Sequence, residues 1–147
     1  MRILIEKFQY RVEELTKELV RVPSVVATPG EKDIGDKIYQ ILRDVEYFKN
    51  KPENLWLVEA KGGPHPKNTV FALVEGKSRS KKTAILLGHI DTVGVEDFGN
   101  LKEYAFDPDG LIARMREYPL NPEVKQDLES GEWMFGRGSH DMKSGVA

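Results

Sequence analysis

The sequence contains no cysteine, which excludes a disulfide framework, a thiolate nucleophile and a thiolate zinc knot. Any metal would have to rely on His, Asp and Glu, the donors of catalytic zinc and of harder ions. A strong charge imbalance is also missing. The 22 basic and 24 acidic residues leave a net charge of −2, so there is no electrostatic reason to expect nucleic acid. No apolar run approaches the ~18 residues that a membrane span needs. The opening Met1-Arg2-Ile3-Leu4-Ile5-Glu6-Lys7 carries early charge and lacks a signal-peptide core. A cytoplasmic location, with neither membrane nor nucleic acid as partner, is the expectation. What remains is 147 residues, 39% apolar and 31% charged, the profile of one globular domain. A chain of that size buries roughly 68–70% of its unfolded surface.

Periodicity organises the first half. Phe8, Val12, Leu15, Leu19 and Val22 recur at helical spacing and predict an amphipathic helix that Pro23 ends. Ser24 to Gly30 form a loop, with Pro29-Gly30 as its turn signal. Ile34, Ile38, Ile41, Leu42 and Val45 predict a second helix, with Glu31 and Asp33 favouring its N-terminal dipole end. Strands are expected over Leu55–Ala60, Thr69–Glu75 and Thr83–Leu87. The last carries no charge and reads as a central strand buried on both faces. The basic stretch Lys77–Lys82 between the second and third reads as a solvated hairpin turn. This order of elements argues for an α/β fold, a mixed β-sheet flanked by helices. Residues 95–131 read as an irregular loop insertion carrying short helices, one started by Asp107-Pro108-Asp109-Gly110 and running through Leu111–Glu117, the other over Pro122–Leu128. Trp133-Met134-Phe135 then returns to strand character.

Two motifs carry chemistry. Gly88-His89-Ile90-Asp91-Thr92 follows the third apolar run, and residues i and i+2 of a strand face the same side, so His89 and Asp91 can address one spot. A metal-bound histidine usually has a carboxylate or carbonyl fixing its ring. Open α/β sheets also place ligands beyond the carboxyl ends of their strands. Taken alone, such a tripeptide is more often a structural histidine than a ligand. The second motif is Gly136-Arg137-Gly138-Ser139-His140-Asp141-Met142-Lys143-Ser144-Gly145. Its glycines suggest a backbone turning tightly beside something it approaches closely, and Asp141 sits in that turn. Taken alone, it fits a solvated surface turn better.

Together, Leu-Leu-Gly-His-Ile-Asp-Thr-Val and Gly-Arg-Gly-Ser-His-Asp-Met-Lys-Ser-Gly resemble the M20 family of dinuclear zinc metallopeptidases and related amidohydrolases. Leu19-Val20-Arg21-Val22-Pro23-Ser24 is similar to that family's opening helix and Pro-Ser loop. The long insertion between the motifs looks most like the arginine-utilisation (RocB-like) branch. The resemblance implies that His89 ligates one metal, that Asp141 bridges two, and that Asp91 is the catalytic-site carboxylate orienting His89. It also implies a cis peptide after the bridging aspartate, here Asp141-Met142. The implied cofactor is a pair of zinc ions, with cobalt or manganese as alternatives, and the implied substrate is a small peptide or an acylated amino acid.

The family's general-base glutamate, its remaining ligands and its lid or dimerisation domain come later than the glycine-rich motif. Residues 1–147 therefore read as the N-terminal part of such a catalytic domain, cut just after Gly145, and not expected to turn over substrate unaided. A non-catalytic or degenerate member acting as a binding module is the alternative. Ser144 stands where the family commonly has glycine. Ser139-His140-Asp141 spells the letters of a nucleophilic triad, but adjacent side chains diverge and cannot form the relay. His140 reads as a solvent-facing turn residue and His65 as a loop residue. Asp107-Pro108-Asp109-Gly110 hints at calcium, but Tyr118 stands where an EF-hand needs glutamate. Phe98, Tyr104 and Phe106 read as packing residues of the insertion rather than the lining of an entrance.

Overall fold

The computed structural model describes residues 2–78 and 81–147, with side chains from residue 8 onward. Arg79 and Ser80 of the basic turn, and the side chains of the opening segment, lie outside the described residues.

Helix α1 (Arg2–Val20) and helix α2 (Gly30–Arg43) realise the two predicted amphipathic stretches. Their apolar stripes meet at Leu19, Ile34 and Ile38, which are buried together. At α2 the acidic residues Glu31 and Asp33 occupy the first turn, where the helix dipole favours them. Lys32 and Asp36 pair at 2.8 Å one turn apart. A short helix α3 (Glu46–Asn50) buries Phe48 and leads through the turn Pro52–Asn54 into the sheet.

Strands β1 (Leu55–Ala60) and β2 (Lys67–Ala72) form an antiparallel pair in the register Leu55↔Ala72 to Ala60↔Lys67. The Trp56 and Phe71 rings stack across them at 5.8 Å. Helix α2 lies on this hairpin at Gly35, where a side-chain carbon would come within 2.4 Å of the Asn68 carbonyl oxygen. The Asn68 side chain then donates to Asp36 at 2.6 Å.

Several expectations need correction. The bounds of β1 agree, but β2 starts earlier and ends at Ala72, three residues short of the predicted Glu75. Thr83–Leu87 is not a buried central strand. It has no regular secondary structure and no ladder partner among the described residues, and Ile85, Leu86 and Leu87 are 78%, 94% and 89% exposed. The physical reason is spatial: an apolar groove of about 880 Å³ separates Leu86 and Leu87 from Val70 and Ala72 of β2. A strand exists only where a neighbour takes its N–H and C=O groups. Among the described residues the sheet is therefore the β1–β2 hairpin rather than a larger mixed sheet. The one further link is an isolated parallel bridge between Val25 and Thr92. Trp133–Phe135 likewise forms no strand among the described residues.

The insertion is more ordered than expected. A 3-10 stretch over Glu96–Tyr104, kinked at Gly99, precedes helix α4 (Pro108–Met115) and helix α5 (Pro122–Ser130). Both helices begin with proline at the first position and a side-chain cap. Asp107 accepts from the Gly110 N–H at 3.1 Å and Asn121 from the Val124 N–H at 2.9 Å. Leu111, Met115 and Leu128 form a second buried cluster, with Phe98 and Tyr104 packed against it. No helix among the described residues is long and apolar enough to cross a membrane.

Candidate functional site

The two motifs meet in space. His89 Nε2 lies 2.8 Å from Asp141 Oδ1, although 52 residues separate them. On the other side of the ring, Nδ1 faces Asp91, at 3.3 Å from its Oδ1 and 3.2 Å from its backbone carbonyl. The imidazole is thus held between two aspartates. Its pKa is raised, chiefly by the hydrogen bond to Asp141, with burial opposing and the Asp91 carbonyl and both carboxylate charges adding. The three side chains open to solvent, at 46% exposure for His89, 41% for Asp91 and 81% for Asp141. They edge a cleft of about 250 Å³ that also takes in Thr92, Arg137 and His140.

Each arm has its own support. The His89 arm is fastened to the loop after α1. Ser24 Oγ donates to the Ile90 carbonyl at 2.8 Å, the Thr92 N–H to Ser24 O at 2.8 Å, and the Val26 N–H to Thr92 O at 2.9 Å. The Asp141 arm is a tight turn in which the Lys143 N–H closes on Gly138 O at 2.9 Å. Gly138 has φ +79 and lies against Thr92, so a side-chain carbon there would come within 2.6 Å of Thr92 Cγ2. This close approach lets the two motifs lie side by side. The Asp141-Met142 peptide is cis, the expected conformation.

As donors, the pair suits zinc: one imidazole nitrogen and one carboxylate oxygen. Two donors on a tetrahedral zinc stand roughly 3.4 Å apart, so the present 2.8 Å contact needs only a small opening. The exposed Asp141 carboxylate is free to make it. Among the described residues no group of three or more His, Cys, Asp or Glu side chains converges as a metal site. The site thus offers two donors and one orienting carboxylate.

The other sequence candidates fall where their plainer readings put them. His140 is exposed, and Ser139 Oγ donates to Gly136 O at 2.9 Å within its own turn, so no triad forms. Asp107 is a helix cap and Asp109 pairs with Arg21, which leaves nothing for calcium. Two residues escaped the sequence reading. Lys143 is 1% exposed despite its charge. Arg137 pairs with Asp97 and lies over the Phe98 ring at 4.9 Å. A lysine in a glycine-rich polar stretch is a surface residue by default, so no signal in the sequence marks it as buried.

Over 137 residues, or 93% of its length, the chain is 42% identical to the protein RocB of Bacillus subtilis (strain 168). It is 39% identical over 134 residues, 90% of its length, to the uncharacterised protein YqjN of the same organism. In each case it spans 24% of the relative's own length. No family model matches the chain, and no solved structure matches it.

Proposed function

We propose that the chain is the N-terminal part of an M20-like metallohydrolase that cleaves peptide or amide bonds. The observation carrying this reading is the convergence of His89, Asp91 and Asp141 from two separated motifs onto one cleft. Similarity to RocB over 93% of the chain but 24% of the relative supports a part of a larger protein. The remaining donors and the general base would come from residues outside these 147, so this segment alone is not expected to turn over substrate.

The residues have distinct parts. Asp91, with its carboxylate and its carbonyl both on Nδ1, holds the ring proton there and leaves Nε2 as the donor. His89 Nε2 and Asp141 Oδ1 share a proton while no metal is held, and that proton must leave before both can act as ligands. Two bound zinc ions would supply a Lewis acid for the scissile carbonyl and make water a nucleophile at neutral pH. The substrate is a small peptide or an acylated amino acid.

The test uses a protein of the relatives' length that carries this segment. His89→Ala and Asp141→Ala should each strip metal, read by elemental analysis. Each should also abolish hydrolysis of a panel of dipeptides and N-acyl amino acids. Unchanged metal content and activity in both variants would remove the reading.

A further inference from the structure

The largest fully buried side chain among the described residues is not one of the residues already assigned. Lys143 is buried to 1% exposure, yet its Nζ reaches away from the cleft. It donates to the Leu19 carbonyl at 2.9 Å and the Val22 carbonyl at 2.8 Å. Leu19 lies in the last turn of α1, at the negative end of the helix dipole, where its carbonyl also accepts the Val22 N–H at 3.2 Å, and Val22 lies two residues beyond the helix. The ammonium also lies 5.9 Å from the centre of the Phe106 ring, whose face attracts cations.

That tether acquires meaning from where the other arm is fixed. The His89 arm is fastened to Ser24 and Val26, only a few residues beyond Val22. Both halves of the site are therefore referenced to one stretch of backbone, residues 19–26. Among the described residues the Asp141 turn makes no main-chain bond to that stretch: the Lys143 N–H bonds to Gly138 O and the Ser139 N–H to Gly136 O within the turn, and the Arg137 N–H bonds to Ala105 O at 2.7 Å outside it. The Lys143 side chain is what carries the link.

We infer that Lys143 is a positioning residue, whose side-chain bonds to the end of α1 set the Asp141 turn beside His89. The inference rests on the proposed metal reading for its consequence, but its geometric part stands apart from it. A buried lysine tied to two carbonyls costs desolvation that a hydrophobic residue would avoid. What the lysine adds is a fixed direction. Arg would overfill the same space, and a shorter donor would hold the two carbonyls less firmly.

The test is made on the 147-residue chain with Lys143→Met, which keeps the stem and removes the donor, and with Lys143→Gln, which keeps an N–H donor on a shorter stem. Two readouts are taken. The first is the nuclear Overhauser contact between the Gly88 α-protons and the Met142 ε-methyl, since a carbon built on Gly88 would sit 3.4 Å from Met142 Cε. Contacts between Leu19 and Ile34 report whether the core persists. The second is zinc affinity by calorimetry.

In Lys143→Met the Gly88–Met142 contact should vanish while the Leu19–Ile34 contacts remain, and zinc affinity should fall roughly ten- to a hundredfold, the range for a residue supporting a ligand. Lys143→Gln should fall between the two. A folded Lys143→Met with both readouts unchanged overturns the inference. So does collapse of both variants, which would make Lys143 a determinant of the whole fold. Zinc uptake too weak to measure in the unsubstituted chain is what two donors alone would give, and the Gly88–Met142 contact then decides the tether.

Discussion

Gly138→Ala gives a sharp test of how the two motifs are packed. Two costs apply. Gly138 sits at φ +79, and placing a non-glycine residue in the left-handed region costs about 1–2 kcal/mol. The added carbon would also lie 2.6 Å from Thr92 Cγ2 and 3.5 Å from the Lys143 stem. Thr92 cannot retreat, because its N–H and carbonyl are bonded to Ser24 and Val26 and it is 4% exposed. Overpacking of that kind adds about 1–3 kcal/mol. Gly131→Ala is the control. Gly131 has φ +69 in the same region, with nothing within 4 Å of the added carbon. Loss of chain entropy in the unfolded state is common to both variants and cancels. Urea denaturation should show Gly131→Ala losing only the backbone cost and Gly138→Ala losing about 1–3 kcal/mol more. Against a total stability of about 5–15 kcal/mol that difference is easily resolved. Thr92→Ser, which deletes Cγ2, should return most of it in the double variant. Equal losses in the two alanine variants, within about 0.5 kcal/mol, would refute the close approach of the motifs.

Two further outcomes follow from the same coordinates. Asp141→Asn removes the largest cause raising the His89 pKa, so the imidazole midpoint followed by NMR should drop toward 6.5; an unmoved midpoint would separate the two residues in solution. The sign for stability follows: His89 is more basic folded than unfolded, so its contribution is complete below pH 6.5 and is lost as pH rises through the raised value. Lys67→Met removes the cation 2.6 Å from Glu31 Oε1, while Oε2 still accepts the Ala27 N–H at 2.8 Å. Glu31 is 6% exposed, so a buried carboxylate loses its counter-charge. A stability loss of about 1–3 kcal/mol by urea melt is expected, and no loss would show that the Lys67 contact does not hold Glu31 in place.

What the sequence revealed and what it hid divides along a physical line. Helix α1, helix α2 and strand β1 were legible because their signals are local: helical spacing of Leu15, Leu19, Ile34 and Ile38, and a bounded β-rich run at Leu55–Ala60. The proline-led starts of α4 and α5 were legible for the same reason, while the Asp107 and Asn121 caps were not read. The strand state of Thr83–Leu87 was not, because pairing belongs to two segments at once and β2 stands across a groove from it. Packing of the insertion by Phe98 and Tyr104 was legible, but the buried centre they pack against was not. Leu111, Met115 and Leu128 are spread over a polar stretch and become a core only once α4 and α5 fold back. At the site, His89, Asp91 and Asp141 were legible as residue types in motifs, and their meeting depended on matching both motifs together. Lys143 was illegible, since its role comes from carbonyls more than a hundred residues away.

The distribution of buried polar groups bears on why this corner of the fold is built as it is. Ser24, Thr92 and Lys143 are buried, at 0%, 4% and 1% exposure, directly beneath an exposed histidine and two exposed aspartates. Each buried polar group costs free energy unless bonded. Here Ser24 Oγ and Lys143 Nζ both bond to backbone carbonyls, which cannot move without moving an element. Thr92 contributes its main chain to the same network, while its Oγ1 has no partner. A surface pair of His and Asp needs none of this to be stable, since exposed charges of that kind contribute little. The arrangement makes sense as rigidity: solvent-facing groups are held at fixed separation by buried donors anchored to α1 and its following loop. Ligand sets need that fixity, and their supporting residues are where it is lost first. The buried layer therefore carries as much of the functional argument as the exposed pair above it.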